Sequence, residues 1–130
     1  MKLILFRGIP GSSKSTSAHR MFPGILKLEQ DQYFMRDGHY RWNAREMPKA
    51  VAWCKNACRN ALENGLDAIV CNTFTKRKYI KDYEDIAKEY GADFVVYRCN
   101  GQFQNTHNVP RSVLASMKAG FEDWDGEIDI

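Results

Sequence analysis

An apolar run, Leu3-Ile-Leu-Phe6, leads straight into Gly8-Ile-Pro-Gly11-Ser-Ser13-Lys14-Ser15-Thr16. This spacing, G-x-x-x-x-G-K-[ST], makes a loop whose backbone N–H groups curl around phosphates. Its lysine neutralises β/γ-phosphate charge and its Ser/Thr hydroxyl reaches Mg²⁺. The loop constrains the fold because it requires a buried strand before it and a helix after it. Lys14-Ser-Thr-Ser-Ala-His-Arg-Met21 reads as that helix, whose N-terminus adds partial positive charge. Gly8, Pro10, Gly11, Ser12, Ser13, Lys14, Ser15 and Thr16 are therefore expected to line a nucleoside triphosphate. Ser13 stands where the pattern has its last glycine. If the loop keeps its usual shape, Ser13 takes φ > 0, a strain of roughly 1 kcal/mol for a residue with a Cβ. The alternative is a loop bent slightly away from that shape.

The remaining 110-odd residues, counted against a length of 130, supply the elements such a loop needs. Pro23-Gly24 ends the first helix, and Ile25-Leu-Lys-Leu28 gives a short strand running to Glu29-Gln-Asp31. Residues 30–36 read as a helical turn and residues 37–42 as a turn or loop. Asn43, with Glu46 three residues on, has the form of a capping box for a long helix ending at Asn64-Gly65. Val51, Cys54, Cys58, Ala61 and Leu62 fall on one face of that helix. Asp67-Ala-Ile-Val-Cys71 is apolar without alternation, as in a buried parallel strand. Thr75 can cap a helix with Tyr79, Ile80, Tyr83, Ile86, Ala87 and Tyr90 at helical spacing, the tyrosines read as packing residues. Phe94-Val-Val-Tyr97 is a further strand, and Pro110 opens a last helix reaching Phe121 or Trp124.

This order predicts an α/β fold, a doubly wound parallel sheet of four or five strands with helices on both faces. The domain is expected over residues 1–124, with an acidic tail over 125–130. A short edge strand at Ile128 and Ile130 is the alternative for that tail. Hydrophobic content of 44% and charged content of 27% are ordinary for one globular domain. No apolar run approaches the ~20 residues of a membrane span, and no small-residue cleavage pattern follows the first strand. Cys54, Cys58, Cys71 and Cys99 follow neither a secreted disulfide framework nor zinc-ligand spacing, so reduced thiols in a cytoplasm are expected. The net charge of +3 hides an asymmetry. Five acids and no base in residues 121–130 leave the first 120 residues with 19 bases against 11 acids. A basic body of that kind suits a polyanionic partner such as nucleic acid.

In doubly wound sheets ligands bind beyond the carboxyl ends of the strands. There the first strand offers the loop, the second Asp31, and the third Cys71-Asn72-Thr73. Asp31 is the carboxylate placed to orient and deprotonate a hydroxyl in phosphoryl transfer, or else to cap residues 32–36. Lys76-Arg77-Lys78 with Lys81, and Arg36, Arg41 and Arg45 around His39, Tyr40 and Trp42, interleave charge with aromatic rings. That pattern suits single-stranded nucleic acid, or a solvated basic face.

Gly8-x-Pro-Gly-Ser-x-Lys-Ser-Thr, Asp31-x-Tyr33-Phe34, Ala52-Trp53-Cys54, Val70-Cys-Asn72-Thr73 and Asn105-Thr-His107-Asn-Val-Pro110 occur in that order. Together they resemble the polynucleotide 5′-hydroxyl kinase group of P-loop kinases, from Leu3 to about Trp124. The resemblance implies MgATP as phosphoryl donor and a hydroxyl of DNA or RNA as acceptor, either a 5′ end or a hydroxymethyl group on a modified phage base. A small-molecule or nucleotide kinase and a weakly catalytic ATP-binding regulator are the competing readings. It implies Lys14 on the transferred phosphate, Ser15 and Asn72 at the metal, and Asp31 as general base. The acceptor would meet Arg36, Tyr40, Trp42, Thr73, Lys76 and Arg77. A lid over about 100–110 would carry an arginine where this chain has Gln104, and Asn108 replaces a glycine. Arg111 is the first candidate to supply that charge and Arg98 the second. Cys71 stands where many relatives have Asp, weakening outer support of the metal. The implied setting is the cytoplasm, that of the host if a phage encodes the chain.

Overall fold

The strand that feeds the phosphate loop is the centre of the sheet. The computed structural model describes residues 1–101 and 109–130. In it β1 (Lys2–Arg7) lies between β5 (Ala68–Asn72) and β6 (Asp93–Arg98), parallel to both. β2 (Leu26–Leu28) extends the sheet beyond β5, and β7 (Ile128–Asp129) extends it beyond β6. The order β2-β5-β1-β6-β7 is parallel throughout. With neighbours on both edges and helices on both faces, Leu3, Ile4, Leu5 and Phe6 are buried, which is why this strand does not alternate.

Each face has its own core. Leu3, Leu5, Ala68 and Val70 pack with Cys54, Cys58 and Leu62 of α2 (Met47–Glu63) and Ile80, Tyr83 and Ile86 of α3 (Arg77–Tyr90). Ile4, Phe6, Ile69, Cys71 and Cys99 pack with Ala18 of α1 (Lys14–Met21) on the other. Tyr83 packs as expected, whereas Tyr79 is exposed. The five-stranded α/β fold with helices on both faces is thus the one the element order predicts.

Local structure differs where elements are short. Residues 37–42, expected as loop, include half of a hairpin: β3 (Met35–Arg36) pairs antiparallel with β4 (His39–Tyr40). Its turn is Asp37-Gly38, both at positive φ, the Asp-Gly chemistry of a two-residue hairpin. Asn43 does cap, but it caps a 3₁₀ turn at Ala44–Glu46 by accepting the Arg45 N–H, and α2 begins only at Met47, with Pro48 in its first turn. Lys76 rather than Thr75 occupies the N-cap of α3. The last helix, α4 (Arg111–Ala119), stops at Gly120, short of Phe121. Among the described residues no helix is long and apolar enough to cross a membrane.

The acidic segment 125–130 is not an appended tail. Ile128 and Asp129 pair with Tyr97 and Arg98, and backbone bonds from Ile130 N–H to Arg98 O and from Asn100 N–H to Ile130 O close the edge. Charge explains the docking. Arg7, with no exposed surface, donates to Glu127 Oε1 at 2.6 Å, to Glu122 O at 2.6 Å and to Phe74 O at 2.7 and 3.1 Å. Its guanidinium also lies 4.1 Å from the centre of the Phe121 ring. Arg98 binds Asp123 and Glu127, and Lys76 Nζ caps the end of α4 through Gly120 O. The negative charge at residues 121–130 therefore neutralises a buried cation and its neighbour.

Replacing Glu127 with Ala leaves the Arg7 guanidinium buried without its carboxylate, at a cost of about 2–4 kcal/mol read from urea denaturation. Glu127→Gln, which keeps an acceptor, loses less; equal stability of all three proteins would refute this account of the segment. The Glu122 carboxyl is held below its usual range by the Arg77 backbone N–H, and the Asp123 carboxyl by Arg98. A depressed carboxyl stabilises above its unfolded value and loses that contribution as pH falls. Hydrogen exchange at Asn100 and Ile130 should accordingly speed up as pH drops below about 4, after correction for intrinsic exchange.

Candidate active site

The phosphate loop is shaped by one close approach and two left-handed residues. A Cβ on Gly8 would lie 2.2 Å from Ser12 Oγ and 2.8 Å from Cys99 O, so only glycine lets the loop fold over itself there. Gly8 N–H donates to Thr73 O at 3.2 Å, which ties the loop to the end of β5. Gly11 has φ 85 and Ser13 has φ 70, ψ 32. Ser13 therefore keeps the usual loop shape and accepts the strain, the first of the two alternatives its side chain allows. Its hydroxyl makes no cap bond and lies 3.3 Å from Ser17 Oγ.

The polar groups of the loop are turned inward. Lys14 Nζ donates to Ile9 O at 3.2 Å. Burial pushes its ammonium below the ordinary lysine value, while the charges of Glu29 and Asp31 act against that shift. Ser12 Oγ is buried with no hydrogen-bond partner among the described residues. A buried hydroxyl left orphaned beside a loop of backbone donors is the mark of a cradle whose polar ligand completes it. Cys71 and Cys99, to either side of β1, are pushed up to about 12 and about 11 by burial, so both stay neutral thiols.

Two carboxylates stand at the exit of β2, and they face different ways. Glu29, in extended conformation, accepts a hydrogen bond from Ser15 Oγ. Asp31 lies in the first turn of the 3₁₀ segment Gln30–Phe34 and accepts from Tyr40 Oη at 3.1 Å. The turn is anchored by Phe34, which is buried, and by Tyr33, which packs on Phe34 and Trp53. Asn72 braces the turn from β5: its Oδ1 accepts the Gln30 N–H at 3.0 Å, and its Nδ2 lies 4.0 Å from Cys54 Sγ. Ser15 thus meets Glu29, a residue the sequence reading passed over, and Asn72 is engaged in holding the turn. The one sequence signal for Glu29 is its position directly after the second strand.

Ser15 and Glu29 provide a hydroxyl and a carboxylate oxygen side by side, the hard oxygen donors that suit Mg²⁺. The donor set fits such an ion with further oxygens supplied by phosphate. They border a groove of about 200 Å³, also lined by His19, Ile25, Lys27, Gln32 and Cys71.

The other expected residues divide into two groups. Arg36, Tyr40 and Trp42 stay together on or beside the β3–β4 hairpin, with Trp42 57% exposed. Arg36 pairs with Glu46 at 3.8 Å and lies over the Tyr33 ring. Thr73, Lys76 and Arg77 follow β5, but Lys76 and Arg77 spend their side chains on Gly120 O and Asp123 O. Arg98 is committed to Asp123 and Glu127 and cannot also serve phosphate in this arrangement. Arg111 is exposed at the start of α4 and makes no hydrogen bond or ion pair among the described residues. Gln104, His107 and Asn108, and with them most of the expected lid, lie outside the described residues.

Known proteins resemble the chain in sequence or in fold. An uncharacterised protein of Pasteurella multocida (strain Pm70) is 28% identical over 131 residues, covering 88% of this chain and 73% of that protein. Human NEDD4-binding protein 2 is 29% identical over 92 residues, 68% of this chain but 5% of its own much longer length. A chain of the Pnkp1/Rnl/Hen1 RNA repair complex superposes with a TM-score of 0.75 at 18% identity, over 97% of this chain and 47% of that one. A sugar kinase from Janibacter sp. HTCC2649 gives a TM-score of 0.66 at 19% identity, over 100% of this chain and 83% of that one. Residues 3–124 match the model of the AAA domain family. With its glycine loop at the head of the central strand of a P-loop kinase fold, the chain belongs to that family.

Proposed function

We propose that the chain is a kinase that moves the γ-phosphoryl of ATP to a hydroxyl of nucleic acid, a 5′ end or a hydroxymethyl group on a modified base. The observation that carries this reading is the position of Asp31. It stands at a strand end, close enough for its charge to act on Lys14, and against a hairpin that exposes Arg36, His39, Tyr40 and, just beyond, Trp42. Aromatic and cationic side chains side by side can hold bases and phosphates of a single strand. The RNA repair complex among the structural neighbours is consistent with such an acceptor.

MgATP in the loop would supply the transferable phosphoryl group and offset its charge. Lys14 lies where it can stabilise the oxygens of that group, and Ser15 with Glu29 would hold the metal. Asp31 accepts the proton of the attacking hydroxyl as its oxygen bonds to phosphorus and the bond to ADP breaks. Asn72 keeps the Asp31 turn in register with β5. Arg111, exposed at the start of α4, would reach the phosphates. Arg36, Trp42 and Thr73 would meet the acceptor. Four free thiols accord with a cytoplasmic setting.

A small-molecule acceptor is the second reading, favoured by the groove of about 200 Å³ beside Ser15 and Glu29. Incubation with [γ-³²P]ATP and 5′-OH oligonucleotides, hydroxymethylated DNA, nucleosides and sugars separates the two. Label confined to sugars or nucleosides would replace nucleic acid as acceptor. ATP binding with no label in any acceptor would leave a nucleotide-binding protein without kinase activity.

Asp31→Asn should lower kcat at least ~100-fold while the Kd for ATP changes less than about threefold. A fully active variant would exclude Asp31 as the base. Ser13→Gly relieves the left-handed strain, offset in part by a more flexible unfolded chain, and should raise the melting midpoint by about 2–4 °C. A lower midpoint would mean that the Ser13 hydroxyl contributes more than its backbone costs.

A further inference from the structure

The bond between Tyr40 and Asp31 joins the 3₁₀ turn after β2 to the hairpin that follows it. Asp31 sits on a single 3₁₀ turn, and the rotation of its carboxylate decides which way its oxygens face. Tyr40 sits nine residues on, in the second strand of a hairpin only two residue pairs long. Among the described residues, three features set the place of its ring. The Asp37-Gly38 turn sets the register, with Met35 opposite Tyr40. Arg41 N–H donates to Phe34 O at 2.8 Å, fastening the returning strand to the turn that carries Asp31. The Tyr40 ring meets the buried Phe34 ring edge-on, with centroids 6.3 Å apart. A rigid aromatic side chain fixed at its base thus delivers one hydroxyl to one carboxylate oxygen.

We infer that Tyr40 is a positioning residue for phosphoryl transfer: its hydroxyl fixes the rotation of the Asp31 carboxylate so that the base meets the acceptor in a reactive orientation. The inference rests on the kinase reading proposed above. A phenol suits the task because it remains a donor. Partial burial, the Asp31 charge and the bond itself push the Tyr40 hydroxyl up to about 12. It therefore neither loses its proton near neutral pH nor competes with Asp31 as a base. A carboxylate that accepts one such bond keeps lone pairs for a second proton donor. The hairpin, on this account, does more than present cationic and aromatic groups to a strand. It couples the acceptor platform to the orientation of the base, because Tyr40 and His39 belong to the same short strand as the surface beside it.

Two measurements test this, one of them independent of catalysis. With ¹³Cζ-labelled tyrosine, the Tyr40 resonance, assigned by its absence in Tyr40→Phe, should stay protonated to pH 11 in the native protein. In Asp31→Asn it should titrate at clearly lower pH. Identical titration in the two proteins would overturn the inference even if the kinase reading stands. In steady-state kinetics, Tyr40→Phe should lower kcat roughly 10- to 100-fold, the size expected for loss of one hydrogen bond to a charged group. The KM values for ATP and acceptor and the melting midpoint should be unchanged. A Tyr40→Phe enzyme with native kcat, or one altered only in KM, would overturn the positioning role. A native protein inert toward every acceptor would instead remove the kinase reading and the positioning role with it, while the titration still decides whether the bond exists.

Discussion

A guanidinium with no exposed surface lies at the carboxyl end of the central strand, and the active end of the sheet is assembled around it. Arg7 is the last residue of β1, one position before the glycine that starts the phosphate loop. It gathers Phe74 O after β5 and Glu122 O and Glu127 from the C-terminal segment. A buried cation is costly unless every donor finds an acceptor, so the two carbonyls and the carboxylate are tied to one geometry. Phe74 itself is at φ 47, a left-handed conformation that the two bonds to its carbonyl help to hold. Since Thr73 O also receives the Gly8 N–H, the same cluster fixes the entry to the loop and the exit from β5. The proposed mechanism asks for strand ends in register, and this one ion supplies much of it.

Much of this architecture was legible because long elements carry redundant signals. β1, β5 and β6 are strands of five or six residues, each built on an apolar run of four, and α3 repeats its apolar side chains over 14 residues. The strain at Ser13 followed from its place in the motif alone, since a loop of that shape needs φ > 0 wherever the last glycine is missing. Two-residue strands carry no such redundancy. β3 and β4 are too short for alternation to register, and the alternation of Ile128 and Ile130 with acids offered β7 only as an alternative; it forms because its backbone completes an edge that Arg7 and Arg98 have already drawn together. Arg7 looked like the end of a strand, and its main carboxylate lies 120 positions away.

The candidate site shows the same division at the scale of single side chains. Motif spacing made Lys14 and Ser15 candidates and strand order made Asp31 one, because those positions are set by the backbone of one loop and one strand end. It could not pair Ser15 with Glu29 or Asp31 with Tyr40, since each pair depends on how two separate elements meet. Asn72 illustrates the cost of reading a strand end by position. A polar residue there can serve a ligand or the neighbouring strand, and in this chain its carbonyl oxygen serves the Gln30 N–H.

On the kinase reading proposed above, Glu29 and Asp31 would divide the work that one acidic strand end would otherwise carry. The alternation of an extended residue followed by a tight 3₁₀ turn sends the first carboxylate toward α1 and the second toward the hairpin. Lys14 feels both, and their charges act against the burial that lowers its ammonium. A single carboxylate shared between metal and acceptor would be drawn to the stronger charge and lost as a base. Separating them by one residue keeps an oxygen donor beside Ser15 while leaving Asp31 under the control of Tyr40. On that reading a departure such as Cys71 is tolerable for the same reason, since carboxylate support of the metal would come from the end of β2 rather than from β5.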